Sequence, residues 1–173
     1  MSYEANMSST SNNDDRIIGR ALDVYNFEVV EQTRALHDSV IYLERTWYIP
    51  VTELVCKYLK KFGLPAYFQF SGVDWYGVFG EDGKLLAVVG FEQVQDDDRM
   101  IPFVSHLCCE DSFLGRRALG QLTKFIEEIP IKLRGLILAS NGKMKTMVNN
   151  RATHGAKRKW KTLALLVESE PGV

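Results

Sequence analysis

The sequence lacks an apolar run long enough to cross a membrane, and its first residues are polar and acidic. A membrane-spanning helix needs about 20 consecutive apolar residues, and a secretory signal needs an apolar segment near its start. We therefore expect neither membrane insertion nor export. Cysteine is also scarce. The chain has three cysteines, and none has the spacing of a zinc ligand, so no metal site is predicted. A reducing cytoplasm is the simplest compartment for such a chain.

The net charge of the 173 residues is also small, −1 at pH 7, but the charged residues are unevenly distributed along the chain. Residues 1–113 hold 9 Lys and Arg against 18 Asp and Glu, and residues 114–173 hold 12 against 4, so the two parts carry −9 and +8. A basic half is typical of proteins that bind a polyanion, either a phosphorylated cofactor or a nucleic acid. The alternative is that the two parts neutralise each other across the fold.

The composition predicts one folded domain, since 173 residues with 46% hydrophobic side chains can bury a single core. Residues 1–15 are rich in Ser, Asn and acidic side chains and show no hydrophobic period. We expect them to form a disordered tail, which leaves residues 16–173 as the domain.

The most informative stretch runs from residue 101 to residue 140. Ile101 to Cys109 is apolar and predicts a strand, and a polar loop with one glycine and two arginines follows it. Apolar residues then recur at spacings of three and four until Pro130, which predicts a helix with one buried face. Ile131 to Ala139 predicts a second strand. This is a βαβ unit, and its two strands should lie side by side in one sheet.

The turn between the first strand and the helix predicts an anion site. The start of a helix leaves backbone N–H groups without partners, and the helix dipole favours negative charge there. Gly115 would let the chain approach a ligand closely, and Arg116 and Arg117 would add charge-assisted hydrogen bonds. The alternative is an ordinary βα turn with solvated arginines.

The other segments are assigned from their periodicity and their turn residues. An Asp-Gly turn predicts a β-hairpin, because it supplies the positive φ that such turns need. In chain order we predict a β-prone run (16–22), one or two helices (23–43), a loop (47–50), an amphipathic helix (51–62), a short strand (67–70), the two hairpin strands (74–79 and 84–94), a short helix (143–150) and a last strand (162–167).

This order of elements resembles that of the GNAT acetyltransferase superfamily over residues 16–167. The resemblance implies an α+β, three-layer fold, with a mixed, mostly antiparallel central sheet and helices on both faces. In that family the strand before the turn splays from its neighbour and pairs with the pantetheine arm of acetyl-CoA, and the turn holds the pyrophosphate. The residues here that the resemblance implies for cofactor binding are Leu107, Cys108, Cys109, Phe113, Leu114, Gly115, Arg116, Arg117, Ala118, Leu119 and Asn141.

The resemblance implies direct transfer of an acetyl group from acetyl-CoA to an amine, on a small molecule or a protein. This reaction needs a base for the ammonium and an acid for the leaving thiolate. Glu92 and His106 are the candidate bases, and the alternatives are a solvated strand end and a hydrogen-bonded core histidine. The chain has no tyrosine after Tyr76, so the family's usual acid is missing, and Ser140 or a water would replace it.

Other readings stay open. The missing tyrosine motivates a GNAT-shaped protein that no longer catalyses and instead binds and modulates a protein partner. The turn is similar to those of short GNAT-like bacteriophage proteins, which would imply a host cytoplasm. Cys108 and Cys109 suggest either a nucleophile or ordinary small buried residues. Trp160 among basic residues is typical of a nucleic-acid patch, but we favour a strand with one inward ring and predict no nucleic-acid partner.

Overall fold

The computed structural model of the chain describes residues 24–65, 68–138, 144–149 and 161–165. The predicted tail (1–15) and the β-prone run (16–22) lie outside the described residues. The same is true of Ser140, Asn141 and Trp160. Within the described ranges, no helix is long and apolar enough to cross a bilayer.

The described part of the chain contains three α-helices and seven β-strands, all seven in one sheet. The helices are α1 (24–34), α2 (Tyr48–Lys61) and α3 (Phe113–Glu128). The strands are β1 (Ile41–Leu43), β2 (Asp74–Phe79), β3 (Leu85–Asp96), β4 (Arg99–Cys109), β5 (Leu133–Leu138), β6 (Met144–Asn149) and β7 (Lys161–Leu165).

The strands follow one another across the sheet in sequence order, from β1 at one edge to β7 at the other. Five of the six neighbouring pairs are antiparallel, and β4 with β5 is the parallel pair. The βαβ unit, the hairpin and the last strand are thus confirmed. The fold is α+β, with a mixed, mostly antiparallel sheet, as predicted.

Helices cover both faces of the sheet because successive residues of the central strands point to opposite sides. Tyr76 and Val89 belong to the core that α1 and α3 cover. Their neighbours Trp75 and Val88 belong to the core that α2 covers. Burial on both faces explains why β3 begins with a continuous apolar run instead of an alternating one. The prediction of helices on both faces is confirmed.

The predicted loop over 47–50 is wrong, because α2 already begins at Tyr48 and a 3₁₀ turn (Arg45–Trp47) precedes it. Pro50 therefore lies in the first turn of the helix. Its missing N–H costs no hydrogen bond there, so the proline does not separate loop from helix. The helix is otherwise as predicted and buries Val51 and Val55.

Three further segments differ from the prediction. The range 23–43 ends in the strand β1 and holds a helix only over 24–34. Residues 68–70 form no strand, since the rings of Phe68 and Phe70 stack on Trp75 instead of extending the sheet. The predicted helix over 143–150 is the strand β6, because pairing with β5 overrides the weak local preference.

Candidate functional site

The two parallel strands of the βαβ unit pair over a short distance. β4 and β5 are in register at Val104 and Gly135 and at the residue before each. From Ser105 and Leu136 onward the two strands continue without pairing with each other. In this described region, β4 therefore has no paired strand beside it on the β5 side beyond Val104. An extended ligand can add to a strand whose neighbour has separated from it, as it does at an open sheet edge.

A β-bulge lies where the strands part. In the pairing of β3 with β4, Gly90 is opposite His106 and Phe91 is opposite Val104, so Ser105 is an extra residue. A bulge bends its strand and changes where side chains point. The bulge therefore accounts for the point at which β4 leaves β5.

An apolar cavity of about 240 Å³ fills the gap between the separated strands. Both strands and the end of α2 contribute to its walls. The strand residues that line it are Ser105, His106, Leu107 and Cys108 of β4 and Leu136 and Leu138 of β5. Tyr58 and Leu59 of α2 cover it. The cavity thus includes two of the predicted cofactor residues and one of the predicted bases.

A second cavity of about 300 Å³ lies at the turn before α3, and its lining includes side chains of both charges. Lys57, Lys61 and Lys84 line it together with Glu53, Glu110 and Asp111, over a floor that includes Leu85 and Cys109. Tyr58 belongs to the walls of both cavities. We refer to the two cavities, which share Tyr58 as a lining residue, together as the cleft.

The turn before α3 caps the helix internally. The Ser112 hydroxyl accepts a hydrogen bond from the Gly115 N–H at 3.0 Å, and the Ser112 carbonyl accepts one from the Arg116 N–H at 3.0 Å. The amides of Phe113 and Leu114 lie in the first turn, where no intrahelical bond forms. Of the amides predicted to bind an anion, those of Gly115 and Arg116 therefore already have hydrogen-bond partners, whereas those of Phe113 and Leu114 form no intrahelical hydrogen bond.

Gly115 is needed for a different reason from the one the sequence suggested. A Cβ at this position would collide with the carbonyl of Glu110. The close approach that requires glycine is thus between the turn and its own helix. The structure therefore explains this glycine without a ligand.

Two carboxylates at the turn are paired with the cations that would attract phosphate. The Lys61 ammonium lies 3.0 Å from the Asp111 carboxylate, and that of Lys84 lies 2.6 Å from the Glu110 carboxylate. Arg116 is 3.7 Å from Asp111. Hydrogen bonds from Lys84 and from Lys61 lower the pKa of Glu110 and of Asp111, respectively. Both carboxylates are therefore ionised at neutral pH and compete with any anionic ligand.

The remaining predicted turn residues fall into two groups. Phe113 and Leu114 are 67% and 56% exposed, and the Arg117 guanidinium lies 5.9 Å from the centre of the Phe113 ring. Ala118 and Leu119, in contrast, pack on the core beneath α3. The first group is accessible to a ligand, whereas the side chains of the second group support the helix.

The two candidate bases lie in different surroundings. His106 lines the apolar cavity, with Nδ1 3.1 Å from the Ser105 hydroxyl and its ring centre 5.3 Å from that of Trp75. Glu92 is half-exposed on β3 opposite Phe103, and it is not among the residues that line either cavity. His106 is therefore the predicted base that the fold brings to the cleft.

The two adjacent thiols have the wrong setting for a nucleophile. Cys108 is buried, and burial, with a smaller contribution from Cys109, raises its pKa well above the usual range. Burial also raises the pKa of Cys109, against the opposing effect of Lys61. Both thiols therefore stay protonated, and the hypothesis of cysteine catalysis is disfavoured.

Two residues of the cleft were missed in the sequence. The helical spacing of apolar residues over 51–62 places Tyr58 on the apolar face of α2, but it gives no sign that this face covers two cavities. Burial, followed by the Cys109 and Cys108 thiols, raises its pKa to about 12. Ser105 is the extra residue of the bulge, and no sequence pattern predicts it because a bulge depends on how two strands pair.

Comparison with known proteins adds no assignment, since no protein-family model and no curated protein matches the chain. Across the described ranges, no group of three or more His, Cys, Asp or Glu residues is placed to hold a metal ion. A function must therefore be inferred from the geometry of the cleft.

Proposed function

We propose that the protein is a GNAT-type N-acetyltransferase that moves the acetyl group of acetyl-CoA to an amine. The separation of β4 from β5 after Val104, with an apolar cavity between them, is the observation that carries this proposal. A pantetheine arm has two amide groups along an otherwise apolar chain. It can therefore pair with the open edge of β4 while its methylene groups contact Leu136 and Leu138.

The chemistry of the proposed reaction assigns roles to His106 and Tyr58. His106 takes a proton from the ammonium of the acceptor, the amine nitrogen then forms a bond to the thioester carbonyl carbon, and the C–S bond breaks. The leaving thiolate needs a proton, and the Tyr58 phenol, which lines both cavities, would donate it, although burial raises its pKa to about 12 and so makes it a weaker acid than a free tyrosine. Tyr58 thus replaces the acid that the sequence lacks.

The phosphates would lie at the turn, where side-chain cations surround the start of α3. Lys61, Lys84 and Arg116 are already gathered there by Asp111 and Glu110. Under the proposal, phosphate oxygens replace these carboxylates as partners of the cations. Phosphate accepts charge-assisted hydrogen bonds from Lys and Arg as carboxylate does, so these cations can take either partner.

Calorimetric titration with acetyl-CoA, with CoA as a second ligand, tests the proposal. We expect micromolar binding by the unsubstituted protein and its loss in Leu136→Trp, which fills the apolar cavity. Leu36→Trp is the matched control, because Leu36 is 78% exposed and lies outside the cleft. Absence of binding at millimolar ligand would contradict the proposal.

A second candidate function is favoured by the surface of the turn. Phe113 and Leu114 are exposed large apolar side chains, and the neighbouring cations already have carboxylate partners. This arrangement suits a protein that binds a protein partner without catalysis, in the cytoplasm of a host if the chain is a bacteriophage protein. Failure to bind acetyl-CoA, together with a partner that is lost on Phe113→Ser, would favour this reading.

A further inference from the structure

We propose that Phe113 and Arg117 bind the nucleotide half of the cofactor, with adenine stacked on the Phe113 ring and the 3′-phosphate on the Arg117 guanidinium. That this nucleotide belongs to acetyl-CoA rests on the proposed function. The ability of the two side chains to bind an adenosine phosphate does not rest on it and can be measured by itself. Neither side chain would touch the reacting atoms, so the pair would determine which ligand binds and not how the acetyl group moves.

The side chains of Phe113 and Arg117 lie on the exposed face of α3. The two residues are four apart in the sequence, which places them next to each other on one side of a helix. The buried residues of the same helix, which include Gly115, Ala118 and Leu122, form its opposite stripe. The Phe113 ring is 67% exposed, so most of its surface is accessible to a flat ligand.

Arg117 contacts the ring and keeps its charge available. Its guanidinium carbon lies 5.9 Å from the centre of the Phe113 ring, within the range of a cation–π contact. The other cations of the turn each have a carboxylate partner, whereas Arg117 forms no ion pair with any residue that the structure describes. The exposed face of α3 therefore offers an aromatic ring beside a cation that has no carboxylate to release.

This combination of groups fits a purine nucleotide. Aromatic side chains bind bases by stacking, and a guanidinium forms charge-assisted hydrogen bonds with phosphate. A purely apolar partner fits less well, because covering the Phe113 ring would also take water from the Arg117 guanidinium without supplying an anion. A free phosphate would use Arg117 and leave the ring exposed. A base with a phosphate nearby uses both side chains.

The pair also lies where the nucleotide of the proposed cofactor would follow. The Phe113 amide lies in the first turn of α3, where no intrahelical hydrogen bond forms, and it belongs to the proposed diphosphate site. In CoA the adenosine is attached to the diphosphate at the end opposite to pantetheine. A diphosphate bound at this amide therefore brings the ribose and the adenine near the side chain of the same residue. Arg117 is about 6 Å further along the helix axis, so its long side chain can reach a phosphate on that ribose.

Calorimetric titration with two ligands that share the nucleotide tests this inference. Adenosine 3′,5′-bisphosphate is the nucleotide alone, and acetyl-CoA carries it together with pantetheine. We expect Phe113→Ala to weaken the binding of both by about tenfold or more, because a stacking interaction is lost. Phe113→Trp keeps a stacking ring and should keep the affinity. S-acetylpantetheine has no nucleotide, so its affinity should be the same in all these proteins.

Matched substitutions separate the roles of the ring and of the charge. Leu114→Ala is the control for the ring, because Leu114 is the next residue and is 56% exposed, and it should leave both affinities unchanged. Arg117→Gln should weaken the binding of acetyl-CoA by about fivefold or more, since a charge-assisted hydrogen bond is lost. It should not change the binding of acetyl-dephospho-CoA, which lacks the 3′-phosphate. Lys124→Gln removes a charge from an exposed position of the same helix and should have no effect.

The outcomes separate this inference from the proposed function. Equal affinity of the unsubstituted protein and Phe113→Ala for acetyl-CoA would overturn the nucleotide site and leave the pantetheine cavity untouched. Binding of acetyl-CoA that depends on Phe113 but is unaffected by Leu136→Trp would support the nucleotide site and contradict the proposed function. Absence of binding of both nucleotides at millimolar concentration would overturn both.

Discussion

Asp74, at the start of β2, is a carboxyl group whose ionisation the fold opposes. Burial, followed by repulsion from the Glu31 carboxylate on α1, raises its pKa. The folded protein therefore holds the Asp74 proton to a higher pH than the unfolded chain does. As pH rises through this interval, the folded state becomes less stable relative to the unfolded state. Above the folded pKa the destabilisation is complete, and below the unfolded pKa it is absent.

Asp74→Asn should therefore raise the melting temperature at pH 7, by about 2 °C or more, since this is the shift expected for a modest gain in a domain of this size. The gain should disappear at about pH 3, below the usual pKa of an aspartate. Thermal unfolding followed by circular dichroism at both pH values measures it. Asp38→Asn is the control, because Asp38 is exposed. A gain of the same size at both pH values would show that ionisation is not the cause.

Cleft residues differ in how far the sequence could predict them. His106, Leu107 and Cys108 were expected beside the cofactor from their place on the strand before the turn, and they do line one cavity. Ser105 could not be predicted as a cleft residue, because a bulge arises from the pairing of two strands and has no local sequence pattern. Tyr58 could not be predicted either, because helical periodicity shows which face of a helix is buried and not what that face covers.

Among the elements, those with a strong local signal were predicted correctly. The Asp-Gly turn predicted the hairpin of β2 and β3, and apolar residues at spacings of three and four predicted α3. Pro50 misled the prediction because its position within a helix, and not its presence, decides whether it breaks the helix. β6 was missed because pairing with β5 decides its conformation, and such pairing is not visible in one segment alone.

The start of α3 gives a prediction with a control in the same helix. An added Cβ at Gly115 would collide with the Glu110 carbonyl, whereas one at Gly120 would meet no atom within 4 Å. Gly115→Ala should therefore lower the free energy of unfolding by about 2 kcal/mol, as overpacking does. Gly120→Ala should raise it by about 0.5 kcal/mol or more, because alanine favours a helix. Urea unfolding measures both, and equal effects would show that the turn relaxes around a side chain.

For the whole molecule, the turn before α3 is one place where the two oppositely charged parts of the chain meet, and the ion pairs of Asp96 with Lys132 and Arg134 are another. The acidic part contributes Glu110 and Asp111, and the basic part contributes Arg116. In the structure these groups neutralise one another together with Lys61 and Lys84. The uneven charge of the sequence is therefore consistent both with internal pairing and with a site for phosphate. The two explanations differ in what happens when a carboxylate is removed.

Asp111→Asn separates these explanations. The substitution frees Lys61 and Arg116 from an ionised carboxylate and removes a negative charge from the turn. If the phosphates of acetyl-CoA bind there, affinity should rise by about fivefold, because an exposed carboxylate no longer competes with phosphate for the two cations. S-acetylpantetheine lacks phosphate and is the matched ligand, so its affinity should not change. Calorimetry at low and high salt measures both, and the gain for acetyl-CoA should shrink at high salt because exposed charges are screened. An equal change for both ligands would place the phosphates elsewhere and leave the charges of the turn as internal pairs.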